Sequence, residues 1–212
     1  MNIASLRLSI NGVDRSRGIE AFTTDVRTIL RPLFLGGRLK REVLEQVVAN
    51  CEAGNMDDHI VVDEQNLYKI SVFFWPPGFY NAPHVHKTWA VAGVLHNVVT
   101  IKTYDMNHFS RKNEFVLNNT FVATENRIGR VIPPCLHRVG NDTAGASISL
   151  HVVGLSELAE ERASDTVWYR KEGGRFVEFE PRDIPAPEFY AIKEKQVRYR
   201  YLVAEELLRR GS

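Results

Sequence analysis

From residue 18 onward the apolar positions fall three and four apart: Ile19, Phe22, Val26, Ile29 and Leu30. That spacing lines one face of a helix, and Pro32, which has no N–H and crowds the preceding turn, is expected to limit it. Ahead of it lie a short apolar stretch (Leu6, Leu8, Ile10) and a polar Asn11-Gly12 turn. A second helix is expected from about residue 39 to 53, with Val43, Val47, Val48 and Cys51 on one face and Gly54 as its stop. From His59 the period changes. Residues 60–62 and 67–75 are β-branched and aromatic, and Pro76-Pro77-Gly78 breaks the run. Residues 89–106 read as two strands joined near His96-Asn97, and short strands are expected at 114–123, 130–132, 136–139 and 146–153. Residues 155–163 read as a short helix, 167–179 as a hairpin turning at Gly173-Gly174, and 196–210 as an amphipathic helix carrying Leu202, Val203, Leu207 and Leu208. Many short strands separated by Gly, Pro, Asn and Asp point to a mainly β fold, a closed barrel or jelly roll, rather than a parallel sheet.

Length and composition narrow this little further. A chain of 212 residues suits one domain with a core large enough to enclose a buried site. The expected division is a helical segment over 1–55, a barrel over 56–182, and a C-terminal extension with its helix over 183–212. The 27 basic and 26 acidic residues give a net charge of +1, which points to neither nucleic acid nor a membrane surface as partner. The two early helices have helix-turn-helix spacing, but no basic recognition face follows them. No apolar run reaches the ~20 residues of a membrane helix and no secretory signal pattern is visible, so a cytoplasmic protein is expected. Two cysteines are too few and too scattered for a disulfide framework or a structural zinc motif. Cys51 falls in a helical stripe; Cys135 is either a buried apolar thiol or part of a site with His137.

The chemistry concentrates in Pro83-His84-Val85-His86-Lys87-Thr88-Trp89. In a strand, residues two apart share a face about 7 Å apart, so His84 and His86 point the same way and can converge on one metal ion. His137, distant in sequence, is the expected third ligand. Three neutral imidazoles leave up to three positions open on the ion; nitrogen donors suit Fe(II), and Ni, Zn or Mn are alternatives. Without a carboxylate ligand, such a centre favours an anionic substrate donor beside dioxygen. Phe73, Trp75, Tyr80, Trp89, Tyr104 and Val153 are candidates for the substrate pocket, with core packing as the default role of each. A small-molecule substrate and O2 are the expected partners, acting on a monomer or homodimer.

These motifs resemble the cupin superfamily. Gly78, five residues, then His84-x-His86 is similar to the first cupin motif, although Ala90 and Val91 stand where it often carries Glu. His137-x-x-x-Asn141 is similar to the end of the second motif. A set of three histidines without glutamate resembles the cysteine dioxygenase (thiol dioxygenase) family, as do Trp75-Pro-Pro-Gly78 and Ser149-Leu150-His151. The resemblance implies a cupin-type double-stranded β-helix with N-terminal helices and a C-terminal helix, holding Fe(II) on His84, His86 and His137. It also implies Ser149 and His151 beside the metal; the residues themselves leave open a pair that steers the pocket or a satisfied polar pair in the barrel wall. Two departures change the expected activity. Val153 stands where that family has a tyrosine. Asp57-Asp58-His59 stands where it carries a carboxylate-binding arginine, so a substrate other than free cysteine is expected. Lys69, Lys87, Arg130 and Arg138 are read as surface cations, and Val91 leaves no counterpart to the family's cross-linking cysteine.

Overall fold

The computed structural model describes residues 3–35, 37–157, 166–180 and 183–211. In chain order it contains α1 (Ile3–Asn11), α2 (Ile19–Leu35), α3 (Arg38–Glu52), β1 (His59–Asp63), β2 (Tyr68–Trp75), β3 (His84–His86), β4 (Ala90–His96) and β5 (Val98–Tyr104). There follow α4 (Met106–Lys112), β6 (Leu117–Thr124), β7 (Ile128–Val131), β8 (His137–Gly140), β9 (Ser147–Gly154), β10 (Thr166–Glu172), β11 (Arg175–Phe179) and α5 (Ala186–Arg210). The strands form two antiparallel sheets, in the orders β1-β2-β9-β4-β7 and β11-β10-β3-β8-β5-β6. Strands distant in sequence sit side by side in both, as the double-stranded β-helix expected above requires.

Alternation along the strands separates two interiors. On β2, Tyr68, Ile70 and Val72 join Ile148, Leu150 and Val152 of β9 in one buried core against Phe22, Val26, Leu30, Val43 and Leu44 of the helices. The intervening Lys69, Ser71, Phe73 and Trp75 face the barrel cavity. A third, aromatic cluster gathers α4 and the last hairpin: Phe109 and Tyr169 at 4.8 Å, Phe115 and Phe176 at 4.0 Å.

Three sequence expectations need correction. α2 runs through Pro32. The missing N–H falls in the last turn, where it costs one bond to the Thr28 carbonyl, and buried Leu33 and Phe34 hold that turn to the core. Phe34 lies against Gly93 of β4, where any Cβ would fall within its ring. α5 starts at Ala186, ten residues earlier than its apolar stripe suggests, because its first half is solvated: Tyr190 is 57% and Ile192 39% exposed. α4 went unforeseen; its seven residues are too few for a periodic stripe. It is capped by Asp105, whose carboxylate accepts from the His108 N–H, and stopped by Asn113 at φ 56°. Of the helix expected over 155–163, residues 158–163 lie outside the described residues. Among the described residues no helix is long and apolar enough to cross a membrane.

α5 is tied to the barrel through one buried cation. Arg200 donates to the carbonyls of Met56 (3.1 Å) and Asp57 (2.9 Å) and pairs with Asp58, to which Lys193 also reaches at 3.8 Å. Arg200→Ala is therefore expected to destabilise the fold by about 3 kcal/mol, since it strips buried polar groups of their partner. A lower urea midpoint with unchanged slope is the measure.

Candidate metal centre

His84 lies on β3 opposite His137 of β8, and His86 follows on the same face of β3. Their ring centroids are 4.3 Å (His84–His137), 4.9 Å (His84–His86) and 5.2 Å (His86–His137) apart. One nitrogen from each lies within 4.8 Å of the other two.

The surroundings orient the rings. His84 Nδ1 meets the Ala82 carbonyl at 3.1 Å, and His137 Nδ1 meets the Cys135 carbonyl at 2.9 Å. A carbonyl only accepts, so both rings carry hydrogen on Nδ1 and leave the Nε2 lone pair for a ligand role. His86 Nδ1 has Thr166 Oγ1 at 3.2 Å. Burial, with the neighbouring imidazoles adding to it, holds His84 well below the ordinary histidine range, and burial lowers His137 too. Both are neutral at physiological pH, as metal ligation requires. The donor set therefore fits a divalent transition-metal ion.

The opposite wall is also ordered. Trp75 Nε1–H donates to Ser149 Oγ at 2.8 Å, and Ser149 Oγ lies 2.8 Å from His151 Nε2. Ser149, accepting from the indole, has its own hydrogen for His151 Nε2. Burial lowers the His151 pKa to about 3, with His86 and His137 adding to the shift, so this ring too is neutral. Next to His151 across β2 stands Ser71, whose hydroxyl lies 2.8 Å from His59 Nδ1. A bulge between His59 and Val61 puts His59 in register with Ser71. The frame around the triad is held by Asn141, fully buried, which donates to the Trp75 and Gly145 carbonyls.

The triad, His59, Ser71, Trp75, Ser149 and His151 border one cavity of about 1210 Å³. Phe73, Trp75, Tyr104 and Val153 line it with the triad, Ser149 and His151. Tyr80 and Trp89 do not. Trp89 packs edge-on against Phe22 at 4.9 Å in the helix-side core and closely against Gly154. Tyr80 lies under Arg138 (4.2 Å) and Lys102 (4.4 Å) and donates to Asp142. Of the cations read as surface residues, Lys87 and Arg130 are exposed, as expected. Lys69 lines the cavity, and Arg130 ties β7 to α2 through the Glu20 carbonyl and Thr24, both at 2.8 Å. Cys135 borders the cavity as a half-buried thiol whose pKa burial raises. Asp58 is also at the wall, with its charge engaged by Arg200 and Lys193.

No protein-family profile and no curated protein matches the sequence. Among solved structures, the chain is similar to an RmlC-like cupin family protein with a double-stranded β-helix fold from Methanocaldococcus jannaschii. That match has 13% identity and a TM-score of 0.37, and covers 46% of this chain and 76% of that one. It is also similar to CapF with the inhibitor 3-isopropenyl-tropolone (16% identity, TM-score 0.37, 47% of this chain). A third is the Lactobacillus farciminis oxalate decarboxylase formate complex (15% identity, TM-score 0.34, 42% of this chain). The chain spans 27% of the CapF chain and 24% of the decarboxylase chain.

Sequence reasoning missed the contribution of β10. Thr166 and Trp168 pair with His86 and His84 in register, and the Trp168 ring lies 4.3 Å from His84. No local signal could have found them, because the pairing spans some 80 residues. Thr166→Val, which keeps size and removes the hydroxyl, is expected to weaken metal binding about 10-fold in a chelator competition.

Proposed function

We propose that this chain is a mononuclear non-heme iron dioxygenase or oxidase, resembling cysteine dioxygenase in its ligand set, that uses O2 to oxidise a small molecule other than free cysteine. The observation that supports this most is the convergence of three hydrogen-bond-oriented imidazoles, His84 and His137 of them held neutral by burial, on the wall of a large cavity, with no carboxylate in the cluster among the described residues. Iron(II) held by His84, His86 and His137 would supply redox chemistry with positions open to substrate and dioxygen. The rest is the work of the chain. The uncharged ligand set favours a substrate whose donor atom binds as an anion, such as a thiolate, enolate or phenolate. Trp75, Val94, Val99 and Val139 form an apolar cluster on the cavity wall, a surface that disfavours water beside the centre. His151, with a pKa of about 3, moves no proton at neutral pH; held by Ser149, it orients what lies against it. Val153 offers only methyl groups where the related family has a hydroxyl. Free cysteine is a poor fit because no arginine stands free at the family's anchoring position, where Asp58 lies with its charge already engaged by Arg200 and Lys193.

Oxygen uptake by the iron-loaded protein over a panel of thiols, amines and phenols tests the reading. Uptake that needs both substrate and His86 is expected. The missing hydroxyl at Val153 favours a second reading, a metal-dependent cupin doing non-redox work. Turnover that persists under strict anaerobiosis with Zn, Ni or Mn would select it, and a ligand bound but returned unchanged would mark a binding protein.

A further inference from the structure

β6 is the edge of the six-stranded sheet, hydrogen-bonded to β5 on one side only among the described residues. Such an edge is usually blunted by a charge or a proline. Here residues 115–124 contain neither. Val116 (43%), Leu117 (54%), Phe121 (53%) and Val122 (65%) are all exposed, as are Asn118, Asn119 and Thr120 between them. Phe121 and Asn119 also border the metal-site cavity, so it is open along this strand.

The order of these residues identifies the occupant. A two-fold axis between antiparallel edge strands requires residues equidistant from its centre to face each other. Around Asn119 the sequence reads Val-Leu-Asn-Asn-Thr-Phe-Val, a chemical palindrome. Val116 would meet the partner's Val122, Leu117 the partner's Phe121, and Asn118 the partner's Thr120. Asn119 would meet its own copy. Apolar faces apolar and amide faces hydroxyl or amide, and the flanking Glu114 and Glu125 fall opposite Thr124 and Asn113, so no like charges meet.

We propose that β6 pairs with β6 of a second copy of this chain about a two-fold at Asn119, joining the two six-stranded sheets into one. Asn119 stands in the cross-strand row that runs through Thr103 to His137 and His84. The partner strand therefore lies along the cavity's open side and covers Phe121 with the partner's Leu117.

Light scattering coupled to size exclusion, at tens of micromolar protein, tests this without reference to the metal. The wild-type chain is expected at twice 24.2 kDa. Asn119→Lys, which sets two ammonium groups opposite each other on an exposed strand, is expected at the single-chain mass with an unchanged circular dichroism spectrum. Asn119→Cys is expected to cross-link to its copy when diamide takes up the two electrons and two protons released by the thiols; wild type and Asn118→Cys are not. A wild-type protein at the single-chain mass would overturn the proposal. So would a dimer that tolerates Asn119→Lys and fails to cross-link through Asn119→Cys.

Discussion

His137→Ala is expected to leave a folded protein that no longer retains its metal. The ring is buried and held by the Cys135 carbonyl, and it supplies the one ligand that comes from outside β3. Structural zinc sites with four ligands bind with about 10–16 kcal/mol, so one ligand is worth roughly 3 kcal/mol, about a hundredfold in affinity. The two remaining imidazoles sit on one three-residue strand and cannot enclose an ion from a second side. Metal content after dialysis should drop from one ion per chain to a trace, and substrate-dependent oxygen uptake should disappear with it. Full metal occupancy in this variant would remove His137 from the centre.

The second large effect is on acid stability. In the metal-free protein His84, His137 and His151 are neutral, with pKa values lowered chiefly by burial; in the unfolded chain each takes a proton near pH 6.5. Below that pH the unfolded state binds more protons than the folded one, so stability is complete at neutral pH and falls as pH drops. The loss continues until the folded-state pKa is reached, about 3 for His151. For His151 that window corresponds to about 1.4 kcal/mol per pH unit, and His84 and His137 add to the loss in the same direction. Urea denaturation of the metal-free protein between about pH 7 and pH 5 should show this steep decline. A flat profile would mean that the rings are hydrated and protonated in the fold.

The His84–His86 pair was legible because its signal is local: two histidines at strand spacing, behind a proline, before a β-branched run; His137 was reached through its own motif, His137-x-x-x-Asn141. The helical stripes and the Gly173-Gly174 hairpin were legible for the same reason. What escaped depends on pairing across the chain. Thr166 and Trp168 meet the ligands only through the β3–β10 register, and Asp58 loses its apparent repulsive charge only because α5 folds back onto α3 and brings Arg200 to the segment before β1. Trp89 takes the default core role rather than the pocket one, and alternation carried that answer: Ala90, Ala92 and Val94 face the cavity, which turns Trp89 toward the helices. Tyr80 precedes β3 in an irregular stretch with a single bridge to Gly140, where alternation gives no guidance.

X-ray absorption spectroscopy of the iron-loaded protein, recorded for wild type and His86→Ala, tests the centre most directly. Three imidazole nitrogens at about 2.0–2.2 Å, with the outer-ring scattering that imidazole produces, are predicted for wild type, and a loss of that coordination is predicted for the variant. A carboxylate- or sulfur-dominated shell, or a wild-type spectrum unchanged in the variant, would contradict a three-histidine site.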